Sequence, residues 1–256
     1  MRTVEGRAPP EAIGGRLVRQ GFQAAFGGRR APRIDVTWDQ AIPLARGLGA
    51  SAALRAAGLL AANAMLDGKH DIERLFALGT ELEGFPDNIS PCLFGGLQVG
   101  VSGAAGLIHL GFPLPEELKV VVFVPDFEMP TQESRRRLPA SLSREDAIYN
   151  SSRVALLLAA LAARRFDLLD EATQDRLHQP VRGQIFPGLG PIMRGAKDGG
   201  AVASYLSGGG STVAAFVVEA EERVARLMTQ AAIAHGYSGR SIITAPTTEG
   251  AHVVAG

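Results

Sequence analysis

Apolar and polar residues alternate in "RIDVTWD", 33–39, which predicts a half-buried strand. A glycine-punctuated turn follows, and then an alanine- and leucine-rich run from Ala50 to Leu66. Pro43, Gly47 and Gly49 sit poorly inside a helix, so the helix is expected to begin near Ala50 or Ser51. In "DIERLFALGTELEG" the rhythm is helical, with Asp71 as N-cap, Gly84 as C-cap signal, and Ile72, Leu75, Phe76, Leu78 and Leu82 on the buried face. "FPDNISPCLFGGLQVGVSG" reads as a turn holding Pro86 and Pro91, a short helical piece, and a strand near Leu97–Val101.

The second half opens with the clearest strand, Val120–Val124, an unbroken apolar run ended by Pro125, whose lack of alternation implies burial on both faces. A long helix is predicted from Ser143 to Arg165, opened by the cap "SREDA", and a second from about Leu168 to His178. The stretch 201–247 then reads strand, glycine turn, strand, helix, strand. Helices and strands that do not strictly alternate point to an α+β protein of two layers. Proline and acids cluster in "FPLPEEL", 112–118, which divides the chain into domains 1–115 and 116–256.

Composition narrows the function classes. The 26 basic and 26 acidic side chains balance, so there is no electrostatic footprint for nucleic acid or an anionic membrane. No apolar run reaches the roughly 18 residues that suggest a spanning helix. The start "MRTVEGRAPPEAIGG" has no apolar signal region. The lone Cys92 excludes an internal disulfide framework, and the five histidines show no metal-ligand spacing. A cytoplasmic setting is the expectation.

The glycine loop running into a helix N-terminus presents unpaired backbone N–H groups and the positive end of the helix dipole. That pattern fits a phosphate cradle, although taken alone it favours an ordinary loop before a core helix. Ser51 places a hydroxyl at the helix mouth, of the kind a phosphate-bound magnesium ion takes, and Glu83 is the natural second magnesium ligand. The pattern G-x-x-x-x-G-K-[ST] is absent, so any nucleotide is held by another loop.

"PLARGLGASAA", 43–53, resembles the ATP-binding motif P-x-x-x-G-L-G-S-S-A-A of the GHMP kinases. "LSGGGSTVAAF", 206–216, is similar to the third motif of that superfamily, and "ELEGFPDNISPCLFGGLQV", 81–99, resembles the E-G-H-P-D-N-x-x-P-x-x-x-G-G segment of its homoserine kinases. "PTQESRRRLP", 130–139, and "QPVRGQIFPGL", 179–189, match in order and spacing. The resemblance implies a GHMP-type α+β fold, with a truncated N-terminal domain like ribosomal protein S5 and a ferredoxin-like C-terminal domain. It implies ATP-dependent phosphorylation of the L-homoserine hydroxyl, a step of threonine biosynthesis, with magnesium as cofactor, and it admits a homodimer.

Residue by residue, the resemblance implies an ATP site made of Pro43, Leu44, Ala45, Arg46, Gly47, Leu48, Gly49, Ala50, Ser51, Ala52 and Ala53, together with Gly208, Gly209 and Gly210. The backbone from Arg46 to Ala52 would wrap the triphosphate, and Ser51 and Glu83 would hold the metal. Asp87 and Asn88 would lie by the homoserine amino and hydroxyl groups, Asp87 orienting the substrate without abstracting a proton. Thr131 would hydrogen-bond the substrate, and Arg135 and Arg182 would bind its carboxylate, a task suited to a planar bidentate donor.

The chain departs from the family pattern at Ala50, where the first serine of a pair is usual, at Phe85, where histidine is usual, and at Ser211, where proline is usual. Nothing like the first motif, P-A-S-x-A-N-L-G-x-G-F-D, precedes residue 43, whence the expectation of a truncated N-terminal domain. Rival readings are another GHMP kinase acting on a different small alcohol, a non-catalytic remnant, and an RNA-binding module, the last disfavoured by zero net charge.

Overall fold

The computed structural model describes residues 13–129 and 136–254, which form two compact units. Among the described residues, the first unit takes in those up to Leu44, Gly49–Phe112, and those from Thr247 onward. The second takes in Ala45–Leu48 and the residues from Pro113 to Pro246.

In the first unit, α1 (Ile13–Ala25) crosses α2 (Ala50–Met65) at glycines. A Cβ on Gly21 would stand 2.1 Å from the Arg55 carbonyl oxygen, and one on Gly58 would stand 2.0 Å from that of Val18, so only hydrogen at both positions lets the backbones meet. Helix α3 (Ile72–Glu83) starts where Asp71 accepts the Arg74 amide and stops at Gly84, φ 87°. Helix α4 (Ile89–Phe94) leads into a hairpin of β1 (Leu97–Gly103) and β2 (Gly106–Phe112), with Val99 opposite Leu110. Phe22, Leu59, Leu75, Phe76 and Ile89 form the core. The tail returns here, with the Gly96 amide donating to Thr247 O at 2.7 Å and the Ala251 amide to Cys92 O at 2.8 Å.

The second unit is built on a four-stranded antiparallel sheet of β3 (Lys119–Pro125), β4 (Ala203–Leu206), β5 (Val213–Val217) and β6 (Gly239–Thr244), in the order β4-β5-β3-β6. Between β3 and β4 lie α5 (Arg144–Ala162), a 3-10 turn (Phe166–Leu168), α6 (Leu169–Ala172), α7 (Gln179–Ile185) and α8 (Leu189–Gly199). Between β5 and β6 lies α9 (Glu221–Ala234). Strand, helices, two strands, helix, strand in that spatial order is the ferredoxin-like arrangement. Phe123, Phe186, Ile192, Val213 and Met228 fill one face of the sheet, and Leu48 packs with Val122, Val124 and Ala214 on the other. Strand β3 is thus covered on both faces, as its unbroken apolar run implies.

Three sequence expectations are corrected, the smallest being Ile72, which is 37% exposed at the first turn of α3 and not on its buried face. Residues 33–39 have no ladder partner among the described residues, and Ile34 and Val36 are 38% and 43% exposed. Alternation yields a strand only where a neighbour pairs its N–H and C=O groups. The helix expected over 168–178 ends at Ala172. Asp175 breaks it, because its carboxylate accepts the amides of Leu177, His178 and Gln179 and so favours a new start at α7. Burial opposes the charge on Asp175, yet hydrogen bonds from His178, Asn150 and the amides of Gln179 and Leu177 hold its carboxyl well below the usual range.

Candidate active site

Alternate residues of the glycine loop adopt the left-handed conformation: Ala45 at φ 54°, Gly47 at 74° and Gly49 at 73°. Glycine reaches this conformation without a Cβ penalty, which lets the loop turn sharply before α2 begins. Gly49 is the N-cap of α2 and offers no side-chain cap, so the first amides of the helix remain available to a ligand. Ala50 and Ala52 are buried beside them.

At the same helix mouth, Ser51 Oγ donates to both carboxylate oxygens of Glu83, each at 3.1 Å. Glu83 also pairs with Arg55, one helical turn past Ser51, and Arg55 in turn donates to Gln20 Oε1 at 3.1 and 3.2 Å. The Arg55 and Glu83 side chains are 16% and 11% exposed. The guanidinium offsets a carboxylate that would otherwise oppose the dipole at the C-terminus of α3. Sequence reasoning missed Arg55 and Gln20, since a polar residue on one turn of a helix carries no sign of a partner that far along the chain. Burial, and then the nearby Glu83 charge, push the Cys92 thiol up to about 11, so it stays a protonated neighbour of the carboxylate.

Asp87 and Asn88 are exposed at the start of α4, and a Cβ built on Gly49 would lie 3.5 Å from Asn88 Oδ1. Phe85, where the family pattern has histidine, is 70% exposed.

Within the second unit, the loop segment Ala45–Leu48 is fastened to the end of β3 and to the third-motif turn. Arg46 donates to the carbonyls of Pro125 at 2.9 Å and Asp126 at 3.0 Å, and it pairs with Glu128 at 3.1 Å. Its own carbonyl accepts the Thr212 amide at 3.1 Å. The Gly47 carbonyl accepts Ser207 Oγ at 2.8 Å. Gly47 therefore meets the third-motif turn: a Cβ on it would stand 2.1 Å from Ser207 O and 2.8 Å from Gly210 N. Ser211, where the pattern has proline, is fully buried and hydrogen-bonded to the Phe127 carbonyl. Arg182 lies on α7 and donates from Nη1 to Gly208 O at 2.9 Å. Thr131 and Arg135 lie outside the described residues.

Residues 16–96 match the N-terminal domain of the GHMP kinases and residues 157–235 the C-terminal domain. The chain is 38% identical over 228 residues to the homoserine kinase of Desulfitobacterium hafniense, which covers 89% of this chain and 77% of that protein. It is also 38% identical to that of Carboxydothermus hydrogenoformans over 224 residues, 88% of this chain and 73% of the relative. In fold it resembles the crystal structure of homoserine kinase from Cytophaga hutchinsonii, with a TM-score of 0.79 at 24% identity over 96% of this chain and 80% of the other. The phosphomevalonate kinase of Streptococcus pneumoniae shares the fold more distantly, with a TM-score of 0.65 at 13% identity over 93% and 82%. With both domain matches in chain order and 38% identity across most of its length, the chain belongs to the homoserine kinase family of the GHMP kinases.

Proposed function

We propose that this kinase transfers the γ-phosphoryl group of ATP to the hydroxyl of L-homoserine, giving O-phospho-L-homoserine. One observation supports the reading most: a serine hydroxyl and a carboxylate converge at the mouth of a helix whose left-handed glycine N-cap supplies no side-chain cap to its first amides. Phosphoryl transfer asks a protein for position and charge neutralisation more than for covalent help. The backbone amides from Arg46 to Ala52 bind the triphosphate, and the turn Gly208–Gly210 supports that loop. Asp87 and Asn88 orient the amino and hydroxyl ends of homoserine, and Thr131 adds a hydrogen bond. Arg135 and Arg182 take the carboxylate. An ATP-consuming step in amino-acid synthesis belongs in the cytoplasm.

Magnesium, when bound, neutralises phosphate charge. Ser51 Oγ and the Glu83 carboxylate, already brought together at the helix mouth, are oxygen donors of the kind magnesium takes and would hold it. Because Arg55 already cancels the Glu83 charge, the protein alone offers little net attraction to a cation. We therefore expect the metal to arrive with the nucleotide: calorimetry should detect no Mg2+ binding at millimolar concentration without ATP, and clear binding of Mg·ATP. Tight Mg2+ binding to the nucleotide-free chain would contradict this.

The substrate assignment is tested by offering homoserine, mevalonate and homoserine amide with ATP and following ADP release. Homoserine should be the preferred acceptor. A charge-assisted bidentate contact contributes roughly 1.5–3 kcal/mol, so Arg182→Ala should raise KM for homoserine about 10- to 100-fold and affect the amide much less. Equal penalties on acid and amide would remove Arg182 from carboxylate recognition, and preferred turnover of mevalonate would overturn the homoserine reading.

A further inference from the structure

Helix α7 is seven residues long and none of them is buried; only Ile185, in its last turn, packs partly against the core. A helix so short does not persist alone; its end is anchored by the fully buried Phe186 that follows it, and its start rests on polar ties. At its start Asp175 accepts the amides of Leu177, His178 and Gln179 at 2.8, 2.7 and 2.5 Å, and Asn150 Nδ2 from α5 at 2.6 Å. Gln179 then bridges two elements: its Oε1 accepts the Leu206 amide at 2.9 Å, and its Nε2 donates to the Thr173 carbonyl at 3.1 Å. Strand β4 is the outer strand of its sheet, so this glutamine takes the place of a missing ladder neighbour at Leu206. Arg182 follows three residues later on the same helical face.

The glycine turn that Arg182 touches is held by other means. Ser207 N donates to Thr212 O at 2.9 Å, Gly210 N to Ser207 O at 2.8 Å, and Ser207 Oγ to Gly47 O at 2.8 Å. If the Gln179 bridge is cut, the turn keeps its own bonds, while the first turn of α7 loses its tie to β4 and keeps only the Asp175 cap. We propose that Gln179 is a positioning residue for Arg182: it clamps α7 to the edge of β4 and thereby sets where the Arg182 guanidinium lies. The functional consequence rests on the reading of Arg182 as a homoserine carboxylate ligand; the clamp itself does not.

The test uses the full chain with Gln179→Met, which keeps length and loses both polar ends, and Gln179→Glu, which keeps the acceptor toward Leu206. In Gln179→Met, KM for homoserine should rise about tenfold while kcat and KM for ATP stay within about twofold, and Gln179→Glu should recover most of the loss. Hydrogen exchange at the Leu206 amide should speed up tenfold or more in Gln179→Met and less in Gln179→Glu. An unchanged homoserine KM in an active enzyme overturns the positioning role, as does an equal rise in both KM values, which would mean that the nucleotide loop had moved too. If the parent does not phosphorylate homoserine, the functional reading fails, and the Leu206 exchange rate still decides the clamp: no acceleration in Gln179→Met refutes it.

Discussion

Gly47→Ala should lower the melting temperature by roughly 6–12 °C and remove measurable ATP binding, whereas Gly49→Ala should cost only about 2–4 °C. Both glycines are left-handed, at φ 74° and 73°, so alanine meets a similar backbone penalty of about 1 kcal/mol or slightly more at either position. They differ in what the new methyl group meets. At Gly49 the nearest atom is Asn88 Oδ1 at 3.5 Å, an ordinary contact with a side chain that can turn away. At Gly47 the methyl would stand 2.1 Å from Ser207 O and 2.8 Å from Gly210 N, both backbone atoms in a turn closed by its own hydrogen bonds. The loop and the third-motif turn must part, which sacrifices the Ser207–Gly47 bond and strains the Arg46–Thr212 bond. A loss of about 3 kcal/mol belongs to this kind of backbone collision. Thermal melts of the two variants side by side, with fluorescent-nucleotide titration, decide the matter. Equal melting temperatures would mean that the two motif glycines are needed for conformation alone.

Legibility from sequence followed the range of the interactions. Helix α3 was readable because its start and stop are written locally, in Asp71 and Gly84. Strand β3 was readable because burial on both faces leaves an unbroken apolar run. The same logic explains the failures. Residues 33–39 have a strand's alternation but no partner among the described residues, and pairing is not a property of the segment itself. The Leu168–His178 pattern is helical in its apolar spacing, and a single carboxylate, Asp175, outbids it by capping the next helix. Strand β2 was missed because the hairpin leaves Ile108 and Leu110 exposed beside Gly111, a weak apolar signal. At the candidate site, Ser51 and Glu83 do meet as a pair, and Gly47 of the ATP-binding motif meets Gly208 and Gly210 of the third. The ties that hold these groups were not legible. Arg46 reaches Pro125 and Asp126 some 80 residues on, and Arg55 neutralises Glu83 from a different helix. Nothing local in an arginine announces either job.

The Arg55 pair also shapes what loss of Glu83 should do. Glu83→Gln should reduce kcat by about 100-fold or more, equivalent to about 2.7 kcal/mol, and shift the Mg2+ dependence to higher concentration, because an amide oxygen is a poorer ligand than a carboxylate. Stability should fall as well, by about 1–3 kcal/mol, since Arg55 is 16% exposed and keeps its charge without its counter-charge. The two losses have different causes and can be separated. In Glu83→Gln with Arg55→Met, the uncompensated guanidinium is gone, so most of the stability should return while kcat stays low. Ser51→Ala removes the other oxygen and should lower activity in the presence of Mg2+ with little change in melting temperature, because its hydroxyl donates only to Glu83 among the bonds described for it. The measurements are kcat against free Mg2+ and thermal melts for all three variants. If activity recovers together with stability in the double variant, Glu83 serves the fold and not the metal, and the convergence of Ser51 and Glu83 at the helix mouth is a structural hydrogen bond.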